Sequence, residues 1–117
     1  MKSSWIENLQ ETIVAEGVKI RGQLAFQGVL KYAGTFEGDI YTPDKLIVLE
    51  TGVIKANIEA DTIIIAGKVF GIIRAKSKIQ ILATGYLKGS IVAPILTIDE
   101  GGIFFGDSTM SATESQV

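Results

Sequence analysis

Cysteine and histidine are both missing from this sequence of 117 residues. Without cysteine, the chain can form neither a disulfide framework nor a thiolate metal site. Without histidine, it lacks the usual general base, the commonest metal ligand and every Ser-His or Cys-His nucleophile pair. These absences argue against an enzyme, so we predict a non-catalytic protein that needs no metal and no other cofactor.

Positive charge is missing from the last quarter of the chain. All eleven lysine and arginine residues lie at or before Lys88, whereas the residues from Gly89 onward contain four acids. If sequence order follows a long axis, one end of the protein is therefore acidic. The net charge of −2 argues against a nucleic-acid-binding protein. The sequence has no GxxxxGK(S/T) motif, so we expect no nucleotide to be bound.

The N-terminal stretch MKSSWIENLQ lacks the long apolar run of a secretion signal or a membrane-spanning helix. Apolar residues nevertheless make up 47% of the chain, which predicts a folded domain. The length is enough for one such domain. We predict a flexible N-terminal segment at 1–11, the folded domain at 12–110 and a disordered tail at 111–117.

Eleven of the thirteen glycines fall into two series that recur with similar but unequal steps along the chain. The two series keep a nearly constant offset from each other, and Ala56 takes the one missing position of the second. Such spacing indicates an internal repeat. The first glycine ladder is Gly17, Gly34, Gly52, Gly67, Gly85 and Gly102. The second glycine ladder is Gly22, Gly38, Gly71, Gly89 and Gly106.

Each repeat opens with a β-rich stretch such as KLIVLE, passes a glycine corner and continues with an alternating stretch such as IKANI. Alternation at period two is typical of strands. We divide the chain into units at 12–28, 29–44, 45–61, 62–77, 78–94 and 95–110. We predict an all-β, single-domain, three-sided parallel β-helix of about six coils. A β-sandwich and a left-handed hexapeptide β-helix are the alternatives.

The alternation also assigns side chains to the core and to the surface. We expect positive φ angles at the corners of the first glycine ladder, because glycine alone adopts them at low cost. We expect the second ladder to lie inward, where a narrow core leaves no room for side chains. The residues predicted to point inward in the third and fifth units are Leu46, Val48, Ile54, Ala56, Ile58, Ala60, Ile79, Ile81, Leu87, Gly89, Ile91 and Ala93.

Neither end of the predicted solenoid carries a convincing cap in the sequence. An uncapped end presents unpaired backbone groups and invites a further strand to pair. The last unit contains Ile103, Phe104 and Phe105, with Phe104 predicted to point inward and Phe105 outward. We predict that these three residues form a hydrophobic self-association contact. The alternative is that they only complete the last coil.

Two further groups of mostly apolar residues are candidates for contact with a partner. We interpret the outer residues as a lateral or partner surface, or as the place where the N-terminal segment packs. That segment could instead be a weak interfacial anchor for a membrane. The outer residues are Ile13, Ile47, Leu49, Ile64, Phe70, Ile72 and Leu82. The candidate membrane contacts are Lys2, Trp5, Ile6 and Leu9.

The repeats ILATGYLKGSIVAP, LIVLETGVIKANIEA and IIIAGKVFGIIRAKS resemble those of the bactofilins, bacterial polymer-forming cytoskeletal proteins. The similarity covers roughly 12–110. It implies a right-handed coil and nucleotide-independent filaments built by end-to-end contacts. In the family a hydrophobic contact at the C-terminal end maps onto Phe104 and Phe105. A membrane-targeting peptide maps loosely onto Trp5 and Ile6.

The function that we predict is a self-assembling scaffold whose main partner is a further copy of the same chain. The resemblance implies a location in the cytoplasm at the inner face of the cell membrane. It also implies a role in cell shape or in positioning cell-wall enzymes. The alternative is a non-polymerising protein-binding module that uses the apolar outer stripe.

Overall fold

A computed structural model describes residues 11–109, which form a solenoid of parallel strands. The strands are β1 Glu11–Val14, β2 Lys19–Ala25, β3 Val29–Tyr32, β4 Thr35–Tyr41, β5 Lys45–Val48, β6 Val53–Ile65, β7 Lys68–Ile81, β8 Tyr86–Val92, β9 Leu96–Ile98 and β10 Ile103–Thr109. All ten belong to one sheet. Within the described range there is no helix, so the all-β prediction is confirmed.

Every strand pairs in parallel with its equivalent on an adjacent coil. Val53 of β6 pairs with Lys68, whereas Glu11 of β1 pairs with Val29, so the step from coil to coil is not constant. The parallel pairing rules out an antiparallel β-sandwich. The unequal steps do not fit a repeat of strict sixes. The predicted β-helix of about six coils is therefore the observed fold.

Each coil consists of a short strand and a longer one, joined by tight corners. The short strands β1, β3, β5 and β9 stack with the C-terminal parts of β6 and β7. The longer strands β2, β4, β8 and β10 stack with the N-terminal parts of the same two. A second-ladder glycine lies in the middle of most longer strands. Its positive φ interrupts the extended conformation of the strand.

The core is a set of stacked columns of aliphatic side chains. Eleven of the twelve residues predicted to point inward in the third and fifth units are buried, from Leu46 at 0% to Ala56 at 8% exposed. The exception is Gly89, which is half-buried. The outward assignments of Lys55, Asn57 and Lys88 also agree with their exposure. Period-two alternation therefore reads this core correctly, because a buried column needs an apolar residue at every second position.

The first glycine ladder lies at the corners between strands, but the reason given for it was wrong. Of its six glycines only Gly17 has a positive φ, of 90°. The others are needed because the coils pass so close together there. A Cβ on Gly52 would lie 2.6 Å from the carbonyl oxygen of Tyr32, and one on Gly102 would lie 2.7 Å from that of Leu82. A side chain at these corners would push the coils apart.

The second glycine ladder is where the backbone needs glycine for its conformation. Its φ angles run from 122° at Gly22 to 144° at Gly106, a region that residues with a Cβ rarely adopt. The expected lack of room for a side chain also holds at four of the five, because a Cβ on Gly38, Gly71, Gly89 or Gly106 would collide with the carbonyl oxygen of the coil before it. The obstacle is the backbone of the neighbouring coil. Ala56 agrees with the conformational requirement, because the one ladder position that is not glycine has no positive φ. Its methyl group is buried in the core instead.

A stability test separates the two constraints on the second ladder. Gly89 and Gly22 share a positive φ, but a Cβ on Gly89 would also collide with the carbonyl oxygen of Gly71, whereas one on Gly22 would meet no atom within 4 Å. We expect Gly22→Ala to cost about 1–3 kcal/mol of unfolding free energy from backbone strain. We expect Gly89→Ala to cost clearly more. Urea unfolding at one fixed protein concentration measures both, and equal losses would contradict the steric term.

The burial of Tyr32 makes the free energy of unfolding fall at alkaline pH. Its side chain is fully buried, and its hydroxyl donates to the carbonyl oxygen of Thr35 at 2.9 Å. Burial raises the pKa of Tyr32 to about 12, above the usual value of about 10. The folded state therefore holds the phenolic proton more tightly than the unfolded chain does. The resulting stability is present below about pH 10 and is lost as the pH rises to about 12.

We expect the wild type to lose on the order of 2 kcal/mol more unfolding free energy than Tyr32→Phe between about pH 10 and 12. Tyr32→Phe is the control for the wild type, because it lacks only the Tyr32 hydroxyl and keeps every other group that titrates in this range. Urea unfolding at several pH values gives the difference. Parallel curves for the two proteins would show that the Tyr32 hydroxyl does not titrate with unfolding.

Candidate functional site

The C-terminal end of the solenoid exposes a cross-section of the core. Within the described residues, β9 pairs only with β7, and β10 only with β8. Leu96 and Ile98 stack on the buried Ile79 and Ile81, but no described strand covers them from above. Ile98 is consequently 43% exposed although it continues a core column. The last coil therefore presents both apolar side chains and an unpaired strand edge.

The three residues predicted for the end contact divide between two directions. Phe104 pairs in register with Leu87 and packs against the core from the last coil, half-buried. Ile103 and Phe105 point outward and are 52% and 61% exposed. The directions of Phe104 and Phe105 therefore agree with the alternation in the sequence. Whether the three residues form a contact between subunits stays a prediction.

Two exposed apolar residues of the last coil are not among the predicted contact residues. Ile95 is 53% exposed, and Ile98 adds to the apolar cross-section. The signal was present, because both lie in the stretch ILTID that opens the last unit. The exposure of Ile98 follows from its position in the stack, since its equivalent one coil earlier, Ile81, is fully buried. Ile95 precedes Leu96 at an outward position and lies over Lys78.

The N-terminal end of the described residues is apolar as well. β1 pairs only with β3 and β2 only with β4 within residues 11–109. Val14, Ile20 and Leu24 pack against the core but remain partly exposed. Ile13 is 63% exposed and Val18 39%. The candidate membrane contacts Lys2, Trp5, Ile6 and Leu9 lie outside the described residues.

The predicted apolar stripe on the first face is real only in part. Ile47 and Ile64 are adjacent in register and half-buried. Ile13 is separated from them by Lys31, which lies between Ile13 and Ile47. Leu49 and Leu82 are half-buried at the corner that follows this face. Ile47 and Ile64 are therefore the one adjacent pair among these side chains, since Ala66 lies between Leu49 and Leu82.

Phe70 and Ile72 belong to a different surface, on the longer strands. The ring of Phe70 lies 5.9 Å from that of Tyr86, at 48°. Ile72 is 47% exposed. One coil above Tyr86, in the same column, is Ile103, and Phe105 lies two residues further along β10. The aromatic and aliphatic groups of this surface thus reach the C-terminal end of the solenoid.

The charges at the C-terminal end are acidic, as the sequence indicates. Asp99, Glu100 and Asp107 lie on the last coil. Lys88, one coil below, places its ammonium 5.7 Å from the centre of the Phe105 ring. The first two coils carry both signs, and there the Arg21 Nε donates to the Glu37 carboxylate at 3.1 Å. The two ends of the solenoid therefore differ in charge.

Within residues 11–109 no group of three His, Cys, Asp or Glu side chains is placed to hold a metal ion. No helix of this range is long and apolar enough to cross a membrane. The geometry defines a class of protein, the parallel β-solenoid, whose first and last coils are each paired on one side only within residues 11–109.

Comparison with known proteins identifies the family. The bactofilin family model, described as polymer-forming cytoskeletal, matches residues 12–109. Bactofilin BacO of Myxococcus xanthus is 31% identical over 106 residues, which cover 91% of this chain and 84% of BacO. Bactofilin BacP of the same organism is 33% identical over 107 residues, which cover 92% of this chain and 45% of BacP. The chain thus spans less than half the length of BacP. No solved structure matches it.

The chain belongs to the bactofilin family. It is therefore a member of a family of structural cytoskeletal proteins, and the resemblance drawn from its repeats is confirmed. The family model covers nearly all of the described β-solenoid.

Proposed function

We propose that this chain forms filaments through end-to-end contacts of its β-solenoid, without a nucleotide. The observation that carries the proposal is the exposed core cross-section of the last coil. Leu96, Ile98 and Phe104 continue core columns there and have no described coil above them. A second copy that stacks on this end would cover them and pair the β9 and β10 edges.

The apolar contribution outweighs the acidic repulsion at this end. Burying about 600 Å² of apolar surface contributes roughly 15 kcal/mol before the costs of association. Repulsion among the last-coil acids Asp99, Glu100 and Asp107 is screened and costs about 1 kcal/mol each. Hydrophobic burial therefore decides the balance, and charge modulates it.

The cellular role within this proposal is a scaffold at the inner face of the cell membrane. A polymer with many weak apolar anchors binds a surface by avidity even where one copy binds marginally. Lys2, Trp5, Ile6 and Leu9 provide the basic, aromatic and aliphatic groups that such an anchor uses. Family membership supports a role in cell shape or in positioning cell-wall enzymes.

Replacing a phenylalanine of the last coil should abolish long assemblies. We expect Phe104→Arg and Phe105→Arg to fold, because both positions lie at the edge of the core, and to raise the concentration needed for assembly at least about tenfold. Phe104→Arg is the sharper variant, since it places a charge on the core cross-section. Negative-stain electron microscopy and sedimentation provide the measurement.

Tyr41→Arg is the matched control, because Tyr41 is 47% exposed on the second coil, away from the last coil. It should assemble as the wild type does. Circular dichroism verifies that all three variants keep their β structure. Normal filaments from Phe104→Arg would overturn the end contact, and a small discrete species from the wild type would favour the binding module.

Salt should modulate assembly in a defined direction. If acidic ends meet each other, screening their repulsion promotes growth between low and moderate ionic strength. We therefore expect light scattering of the wild type to rise over this range. Asp107→Asn should reduce the dependence, because it removes one of the exposed charges. A fall in scattering with added salt would show that attraction between unlike charges dominates the contact.

A further inference from the structure

One column of outward side chains on the longer strands alternates between groups that attract each other. The strand register places one residue of this column on each of the six coils. We call it the outer column: Arg21, Glu37, Lys55, Phe70, Lys88 and Phe105. Successive members are neighbours on adjacent coils, about 4.8 Å apart.

Neighbouring members of the outer column already attract each other within one chain. The Arg21 Nε donates to the Glu37 carboxylate at 3.1 Å, although the two side chains are 84% and 44% exposed. At the other end, the Lys88 ammonium lies 5.7 Å from the centre of the Phe105 ring. The column thus holds an ion pair at its first two coils and a cation–π pair at its last two, with their outer sides in solvent.

When the outer column is set against a second copy that runs in the opposite direction, each residue faces a residue that attracts it. A second copy turned by a two-fold axis parallel to the strands faces the first copy in antiparallel alignment with flush ends. Coil one then faces coil six, coil two faces coil five and coil three faces coil four. Arg21 meets Phe105 of the second copy, and Lys55 meets Phe70, so each forms a cation–π contact. Glu37 meets Lys88 and forms an ion pair.

Because the pairs within each chain persist, the residues form closed clusters. Arg21 and Glu37 of one copy would meet Lys88 and Phe105 of the other, and each of the four would touch two attractive neighbours. The two-fold axis generates this cluster twice. A two-fold contact requires this kind of self-complementary patch.

Other alignments of the same surface set like charges together. A slip of one coil places Lys55 against Lys88 of the second copy. A two-fold axis along the solenoid instead places Lys55 opposite Lys55 of the second copy, and Lys88 opposite Lys88. Like charges opposed in this way are destabilising. The flush antiparallel alignment is thus the one that uses all six coils without repulsion within the outer column.

The neighbouring column agrees with this alignment. Its members are Lys19, Thr35, Val53, Lys68, Tyr86 and Ile103, also one on each coil. Flush antiparallel pairing sets Lys19 against Ile103, Thr35 against Tyr86 and Val53 against Lys68. No lysine meets a lysine, and the lysine stems can cover the exposed aliphatic groups.

We propose that the outer column is a lateral contact between two copies of this chain, aligned antiparallel and flush. Two columns over six coils cover roughly 10 Å by 29 Å on each copy. The resulting area is below that of a stable dimer interface, about 800 Å² on each partner. The contact therefore rests on the proposed filament, in which repetition along the length provides avidity.

Cysteine crosslinking tests the alignment directly, because the chain has no cysteine of its own. Each variant carries one cysteine, so Thr35→Cys and Tyr86→Cys can be linked only between chains. In the proposed alignment the two positions face each other between copies, about 10 Å apart, a distance that a bismaleimide of matching length spans and a disulfide does not. Treating mixed filament-forming Thr35→Cys and Tyr86→Cys proteins with this crosslinker should give a several-fold excess of linked dimer over either variant alone.

A charge exchange gives the second test. Glu37→Lys alone would set lysine against Lys88 of its partner, and Lys88→Glu alone would set glutamate against Glu37. Each variant should form single filaments that do not pair sideways, and an equal mixture should restore the pairs. Since residues 37 and 88 lie three coils apart, restoration on mixing must act between chains. Electron microscopy gives the filament widths.

The outcomes separate this contact from the end contact. Wild-type filaments without linked Thr35→Cys and Tyr86→Cys dimers would overturn the lateral contact and leave the filament proposal standing. Equal linkage in a single-variant sample would show a different alignment and overturn it too. Absence of filaments from the wild type would overturn the proposed function itself. Linked mixed dimers together with restored pairing in the charge exchange would support the lateral contact.

Discussion

The structure depends on one constraint, the parallel stacking of each coil on the coil before it in a fixed register. Backbone hydrogen bonds hold neighbouring coils about 4.8 Å apart, so each residue lies over its equivalent. Any side chain that points along the axis must then be absent. Gly52 meets this requirement at a corner, where even a Cβ would lie 2.6 Å from the Tyr32 carbonyl oxygen. The same stacking makes a core column such as Ile63, Ile79 and Leu96 continuous from coil to coil.

Much of this architecture can be predicted from the sequence, because two independent patterns indicate the repeat. Period-two alternation gives the core, and the glycine spacing gives the coil. The physical role of each glycine ladder cannot be assigned in this way. Spacing shows that Gly52 and Gly89 recur but not which φ angle either adopts or which carbonyl lies beneath it. Ala56 illustrates the limit, because it breaks the second ladder in sequence while the backbone adopts another conformation in the structure.

The candidate site was predictable to a lesser degree for a related reason. Phe104 and Phe105 could be assigned to opposite sides by alternation alone. The outer surface required the register between coils, and the length of the step differs from one pair of coils to the next. An error of one residue moves every side chain to the opposite face. The register also shows what lies between residues that share a face, since Lys31 separates Ile13 from Ile47 in one column.

Stacking gives the ends and the sides of the solenoid different capacities for association. An end exposes a whole core cross-section together with unpaired strand edges, as Ile98 and Phe104 show at the last coil. A side exposes only the outward-facing side chains of the strands, and charged and aromatic groups alternate along the outer column. Apolar burial is the larger contribution and does not depend on direction, whereas ion and cation–π pairs are weak and set alignment. In the proposed assembly, apolar burial at the ends therefore drives growth along the solenoid axis, and the ion and cation–π pairs of the outer column set the alignment of neighbouring copies.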